Sequence, residues 1–209
     1  MQENKFYSPV DIGVFSICYF KGGRFEKRGR YGTYHLMEHL MCKKFEHLYP
    51  KLSSLDIDWN AYTSENSVQF VFSGLNECID LVRDELLSCI TESKNLWTEE
   101  QFLNEQKIVI QEYMDSFNDP NSGAYQNLLR KHYNHFGAIG LADDILSFTY
   151  NDSLDVEKEF NNPDSIISLN NDSKNELFDP FFYVGAPKAD IPLFKLNYKN
   201  KLEKIPKGN

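Results

Sequence analysis

Cysteine is scarce and unpatterned in this 209-residue chain: Cys18, Cys42, Cys78 and Cys89 show no CxxC spacing and fall inside segments that read as strand or helix. That argues against both a disulfide framework and a thiolate metal cluster, and the four read as reduced core thiols. Long apolar runs are missing as well. No stretch approaches the roughly 18 residues a membrane-spanning helix needs, and Met1-Gln2-Glu3-Asn4-Lys5 has no apolar stretch behind a basic start. The expectation is a soluble, most simply cytoplasmic, protein with no membrane partner. Basic side chains are outnumbered 22 to 31, giving a formal net charge of −9. Such a field repels phosphate backbones unless a local stripe overcomes it. The candidate stripe, Lys21, Arg24, Lys27, Arg28 and Arg30, is interrupted by Glu26 and carries no alternating aromatic platform, so no nucleic-acid partner is expected. Internal repeats and low-complexity linkers are absent too. With 41% hydrophobic and 25% charged residues, disordered and fibrous classes drop out, and the length fits one compact core.

What is present reads as alternating strands and helices. Gly13 to Phe20 is short, β-branched and aromatic, closed by Gly22-Gly23; Ser67 to Phe72 repeats the pattern before a Ser-Gly break. Between them the spacing predicts a helix starting near Thr33, with the Thr33 hydroxyl as its cap, and running toward Tyr49-Pro50. A second helix is predicted over 76–92 with Asn76 as cap, and a long third one opens on the capping box Thr98-Glu99-Glu100-Gln101 and stops at Asn118-Asp119-Pro120. Further helix is predicted over 124–133 and 153–160, with a two-glycine loop over 134–140 and a strand at Ile166 to Leu169. The string fits an α+β domain: a mixed, mostly antiparallel sheet with helices packed on one face. Domain boundaries are expected at 1–179 for the folded unit, with 180–209 as a C-terminal extension. That extension carries Phe181, Phe182, Tyr183, Leu193, Phe194 and Tyr198, apolar groups that would pack on the domain or on a partner.

The first helix separates two chemistries. At about 100° per residue, Leu36, Met37, Leu40, Met41, Phe45 and Leu48 form one apolar face, and His35, Glu38 and His39 gather opposite it. His35-Leu36-Met37-Glu38-His39 is H-x-x-E-H, the reversed zinc-protease signature. Histidines at i and i+4 can share a metal, with the glutamate over its open side, and a catalytic zinc takes a third protein ligand plus a water. On the long helix Glu105 and Glu112 lie two turns apart and stack on one side, and Glu112 is the expected third ligand. His132 and His135, three apart at a helix end, have no well-spaced carboxylate and read as surface or capping residues. Cys42, one turn after His39, reads as a small residue packed beneath the site.

Beyond this motif, Gly22 to Glu26, Gly32 to His39, Asn60-Ala61-Tyr62-Thr63, the segment Asn104 to Glu112, and Tyr133 to Gly137 with Leu146 to Thr149 resemble, in order and spacing, the active half of the insulinase, pitrilysin and mitochondrial-processing-peptidase family. The resemblance runs over about residues 10 to 170, and its one local departure is Gly23, where a serine is common.

It implies a processing-peptidase-like domain and a zinc-dependent endopeptidase acting on peptides or unfolded segments. His35, His39 and Glu112 would be the zinc ligands, one ion per chain, Glu38 the general base, and Glu105 a second acidic residue supporting the site. Asn60, Ala61 and Tyr62 would form the edge-strand segment that takes an extended peptide. The family encloses substrate between two halves, so the resemblance also implies a homo-oligomer or a partner chain that completes the chamber. The alternative it leaves is a non-catalytic peptide-binding or assembly subunit of the same fold.

Overall fold

A computed structural model describes residues 2–7, 11–133 and 136–170 of the chain. The extension expected over 180–209, with its apolar groups, lies outside the described residues, as does His135.

Five strands form one sheet in the order β1-β5-β2-β4-β3. β2 (Gly13–Tyr19) pairs antiparallel with β4 (Val68–Gly74), Ile17 opposite Phe70, and on its other side with β5 (Ser165–Asn170), Ile17 opposite Ile166. β3 (Asp58–Thr63) adds antiparallel to β4, while β1 (Gln2–Tyr7) runs parallel to β5. The sheet is therefore mixed and mostly antiparallel, as expected. Alternation along β2 and β4 turns Phe15, Ile17 and Tyr19 together with Val68, Phe70 and Phe72 into the core, all fully buried.

Helix α1 (Thr33–Lys43) lies over β3 and β4, and α3 (Asn76–Thr91) over β2. Leu36, Met37, Leu40 and Met41 of α1 are fully buried, so its predicted apolar face is its packing face. Truncating one such leucine to alanine would cost about 2–5 kcal/mol. The Phe45 ring sits among Tyr49, Trp59, Phe70 and Phe72, at centroid distances of 5.7, 5.1, 6.4 and 5.5 Å, and stitches the end of α1 to the sheet. The long α4 (Glu99–Asn118) crosses α1 and packs against α5 (Pro120–Tyr133); α6 (Ala142–Ser147) and α7 (Tyr150–Glu157) complete the layer.

Several local expectations change. Thr33 does not cap α1: its hydroxyl is buried without a hydrogen-bond partner, and it is the first helical residue. The cap is remote in type, the Glu26 carboxylate accepting from Gly32 N and Tyr34 N, both at 2.7 Å. Asn76 likewise is the first helical residue, after Leu75 at the cap position, and its Nδ2 donates to Asp11 Oδ1 at 2.8 Å. α1 stops at Lys43 instead of reaching Tyr49, because Lys44 turns inward to a buried partner and Phe45 leaves helical dihedrals; Pro50, without an N–H to lose, then helps open the short α2 (Tyr49–Ser54). α7 opens at Tyr150, not Ser153, on the capping box of Thr149 and Asp152. The Thr98 and Gln101 box is present as predicted.

The start of α1 is held by a close backbone approach. Gly32 has φ +94° and Gly140 φ +70°, and a Cβ on Gly140 would lie 2.1 Å from Gly32 N. Only glycine allows both the left-handed backbone and that contact.

Candidate metal centre

The exposed side of α1 carries His35 and His39 one turn apart, their rings 5.1 Å centroid to centroid and nearly perpendicular. α4 crosses so that Glu112 meets both: its Oε2 is 3.3 Å from His35 Nε2 and 3.5 Å from His39 Nε2. One donor atom from each of the three lies within 4.8 Å of the others, and among the described residues this is the one group of His, Cys, Asp or Glu so assembled. The three candidate ligands read from the sequence are thus brought together. Glu112 is 44% exposed at its side chain, so the cluster opens to solvent on that side.

Two turns earlier on α4, Glu105 is nearly buried and faces the other nitrogen of the same imidazole: His39 Nδ1 donates to Glu105 Oε2 at 3.1 Å. Its second oxygen, Oε1, takes the Lys43 ammonium at 2.9 Å. Burial would raise the Glu105 carboxyl, but His39 and Lys43 outweigh it and hold it below the ordinary carboxylate range. The hydrogen bond from His35, with the His39 charge, does the same for Glu112 against partial burial. For His39, burial disfavours the charged ring, but Glu105, Glu112 and Glu38 together raise its pKa above the usual value. The common thread is carboxylate charge: Glu38, Glu105 and Glu112 all act on His39, and Lys43, the ammonium paired with Glu105, is shared with Glu46. Cys42 is not part of the three-ligand group, and burial pushes its thiol pKa up.

Glu38 sits between the two histidines on α1, about nine-tenths buried. Thr63 Oγ1, at the end of β3, donates to Glu38 Oε2 at 2.6 Å. Along β3 the alternation puts Trp59, Ala61 and Thr63 on the helix side and Asp58, Asn60 and Tyr62 on the exposed side. Asn60 and Tyr62 therefore present their side chains away from the cluster, bonded to each other at 3.0 Å. What β3 presents instead is backbone, because it is the last strand of the sheet among the described residues. Ala61 N donates to the Asn60 side-chain oxygen at 2.9 Å.

Thr63 and Lys43 carry no functional role in the sequence reading, although each had a local signal. Lys43 follows His39 by one turn of the same helix, and Thr63 ends the Asn60-Ala61-Tyr62-Thr63 segment. Gly23, the departure noted above, proves to be constrained. A Cβ there would lie 2.6 Å from the Gly137 carbonyl oxygen, so a serine would require the 136–140 loop to move. His132 lies exposed in the last turn of α5 and joins no group of three or more His, Cys, Asp or Glu among the described residues.

No helix among the described residues is long and apolar enough to cross a membrane. No family model matches the sequence, and no curated protein does. Solved structures do match. A protease from Helicobacter pylori aligns with a TM-score of 0.66 at 22% identity over 77% of this chain and 41% of its own. An M16-like peptidase from Alicyclobacillus acidocaldarius gives 0.66 at 20% identity, covering 80% of this chain and 43% of the other. The periplasmic protease PqqL from Escherichia coli gives 0.66 at 17% identity over 82% of this chain and 21% of its own. This chain spans less than half the length of each of these proteins, and over that span it has the α+β fold of M16-like peptidases.

Proposed function

We propose that the chain is a zinc-dependent endopeptidase domain that hydrolyses peptides or unfolded segments. The observation that carries the proposal is the convergence of two imidazole nitrogens of α1 and one carboxylate oxygen of α4, backed by the Glu105 carboxylate behind His39. The residues fit the ion. Donor atoms about 2.0–2.1 Å from a tetrahedral zinc lie roughly 3.3–3.4 Å from one another. The Nε2 to Oε2 separations of 3.3 and 3.5 Å match that spacing. His35, His39 and Glu112 would hold one zinc per chain.

Zinc bound there would supply Lewis acidity and lower the pKa of a coordinated water toward 7. Glu105 fixes the His39 tautomer: by accepting from Nδ1 it leaves Nε2 as the free lone pair. Glu38 would serve as the general base, a carboxylate beside the two histidines that can accept and pass on a proton without itself ligating. Asn60, Ala61 and Tyr62 serve substrate chiefly through the β3 backbone. The Ala61 N–H now donating to Asn60 is a donor an extended peptide can use, and such pairing gives affinity with little dependence on sequence.

Metal analysis of purified protein, beside cleavage of a quenched peptide with and without chelator, tests the reading. The expected result is about one zinc per chain by the three-ligand rule and chelator-sensitive turnover. Glu38→Gln should keep the zinc and lose turnover, and His35→Ala should lose both. Normal cleavage by Glu38→Gln would sink the assignment.

A second reading draws on the span of only 21–43% of the matched proteins. In it the domain binds peptide along β3 or serves assembly, and turnover needs a second copy or a partner chain to close the chamber. Zinc bound without cleavage favours this reading. A fully active monomer by sedimentation removes it, and with it the proposed oligomer.

A further inference from the structure

We propose that Thr63 is the positioning residue for the base, tying the peptide-binding strand to the carboxylate that moves the proton. This rests on the peptidase reading above and goes beyond it, because neither the H-x-x-E-H spacing nor the metal geometry assigns Thr63 anything.

The argument begins with Glu38. Among the described residues, the bond from Thr63 Oγ1 to Oε2 at 2.6 Å is the one hydrogen bond its carboxylate makes. The terminal torsion of a glutamate is broad, so the direction of its carboxylate is set by what bonds its oxygens. Pinning Oε2 leaves Oε1 as the oxygen that can face a water and take its proton. A threonine suits the task because its branched Cβ restricts χ1 in a strand, so the hydroxyl is delivered from a fixed direction.

Thr63 is itself anchored on both sides. It pairs with Val68 across the β3–β4 ladder. Immediately after it, Ser64 N donates to Ser67 O at 2.8 Å, and the Ser64 hydroxyl oxygen accepts from Asn66 N and Ser67 N. Gly23 N then ties to Ser64 O at 3.1 Å. The hydroxyl is thus carried by a braced turn, one residue beyond the Asn60 to Tyr62 edge. The strand that would set the register of a bound peptide is also the strand that sets the direction of the base, so the scissile carbonyl and the proton acceptor share one frame. The bond adds no affinity of its own, and its loss should appear in turnover.

The test uses the intact, zinc-loaded protein, with Thr63→Val as the near-isosteric change and Thr63→Ser as the conservative one. Losing a charge-assisted hydrogen bond at the base predicts a kcat lower by about tenfold to a hundredfold for Thr63→Val. KM and zinc affinity should stay within about twofold, and Thr63→Ser should recover most of the loss. A readout in zinc-stripped protein accompanies it: the 13C carboxyl resonance of Glu38, assigned by its disappearance in Glu38→Gln, should shift in Thr63→Val and return in Thr63→Ser. An active wild type and an inactive Glu38→Gln beside an unimpaired Thr63→Val would overturn this proposal alone. So would a kcat loss matched by an equal loss of zinc affinity, or one that serine does not rescue. A wild type without chelator-sensitive cleavage, or an active Glu38→Gln, would overturn the peptidase reading and this proposal with it.

Discussion

Helix α1 is flanked by two charged clusters that differ in one respect. Just past its end, Lys44 and Glu157 are only 0% and 1% exposed and form a closed system: Lys44 Nζ donates to Glu157 Oε1 at 2.6 Å and to Ile90 O at 3.0 Å, and Ser93 Oγ donates to Glu157 Oε2 at 2.8 Å. Charge is balanced there and each oxygen has a donor. On the opposite face, His35 and His39 meet Glu112, His39 also meets Glu105, Lys43 pairs with Glu105, and Glu112 reaches solvent. A closed pair is a joint; an open cluster with surplus negative charge is a place for a cation. Their members on and just after α1, His35 to Lys44, lie within ten residues, which makes the contrast testable by parallel substitutions.

The largest expected effect is on the joint. Glu157→Ala leaves a buried ammonium without its counter-charge, which should cost about 3–5 kcal/mol in chemical denaturation. Zinc affinity of the folded fraction should hold within about twofold. If affinity falls in step, the joint belongs to the site and the contrast fails. The next effect belongs to the cluster. At zinc one hundred times above its Kd, native-state binding should stabilise the wild type by about 2.7 kcal/mol. The same addition to His39→Ala should leave the melting temperature unmoved. A smaller effect sharpens the boundary between the regions. Lys43→Met frees Glu105 Oε1 and should loosen the orientation of His39, weakening zinc by about tenfold in a chelator competition, with Lys43→Arg near wild type. An unchanged affinity would place Lys43 with the surface ion pairs, which contribute little.

How much of this was legible in the chain follows from the range of each interaction. The cluster on α1 was readable because four residues make a helical turn and seven make two, so His35, His39, Glu105 and Glu112 fall on predictable sides. The antiparallel body of the sheet was readable where strands are buried and apolar, as in β2 and β4. β1 was not: Gln-Glu-Asn-Lys-Phe-Tyr has no apolar and polar alternation to mark it as a strand. In β3 the residues alone said little, and only the family likeness marked Asn60 to Tyr62 as an edge. The end of α1 misled for a different reason. Phe45 and Leu48 continue the apolar period, but the partner that turns Lys44 inward lies 113 residues away. Glu26 as the cap of α1, and Thr63 as the partner of Glu38, likewise depend on how loops return, and no local pattern encodes that.

Glu26 tests the contrast from between its extremes, since it is a partly buried carboxylate with hydrogen-bond donors but, among the described residues, no ion-pair partner. Burial is the main cause that raises its pKa from 4.5 to about 7, helped by the charges of Asp144 and Glu65 and opposed by the amides of Gly32 and Tyr34. The folded-state value lies above the unfolded one, so between them the folded chain binds more protons, and stability falls as pH rises from about 4.5 to about 7. Allowing for its partial contact with water, the fall attributable to this residue should be on the order of 1 kcal/mol. Denaturation midpoints taken through that window in Glu26→Gln should lose that much of the slope, while zinc affinity stays near wild type, because Gln still offers one oxygen to the helix start. An unaltered slope would mean that two backbone donors alone balance a buried carboxylate. The open cluster could then bear its surplus charge without an ion, and the distinction between the two regions of α1 would no longer point to zinc.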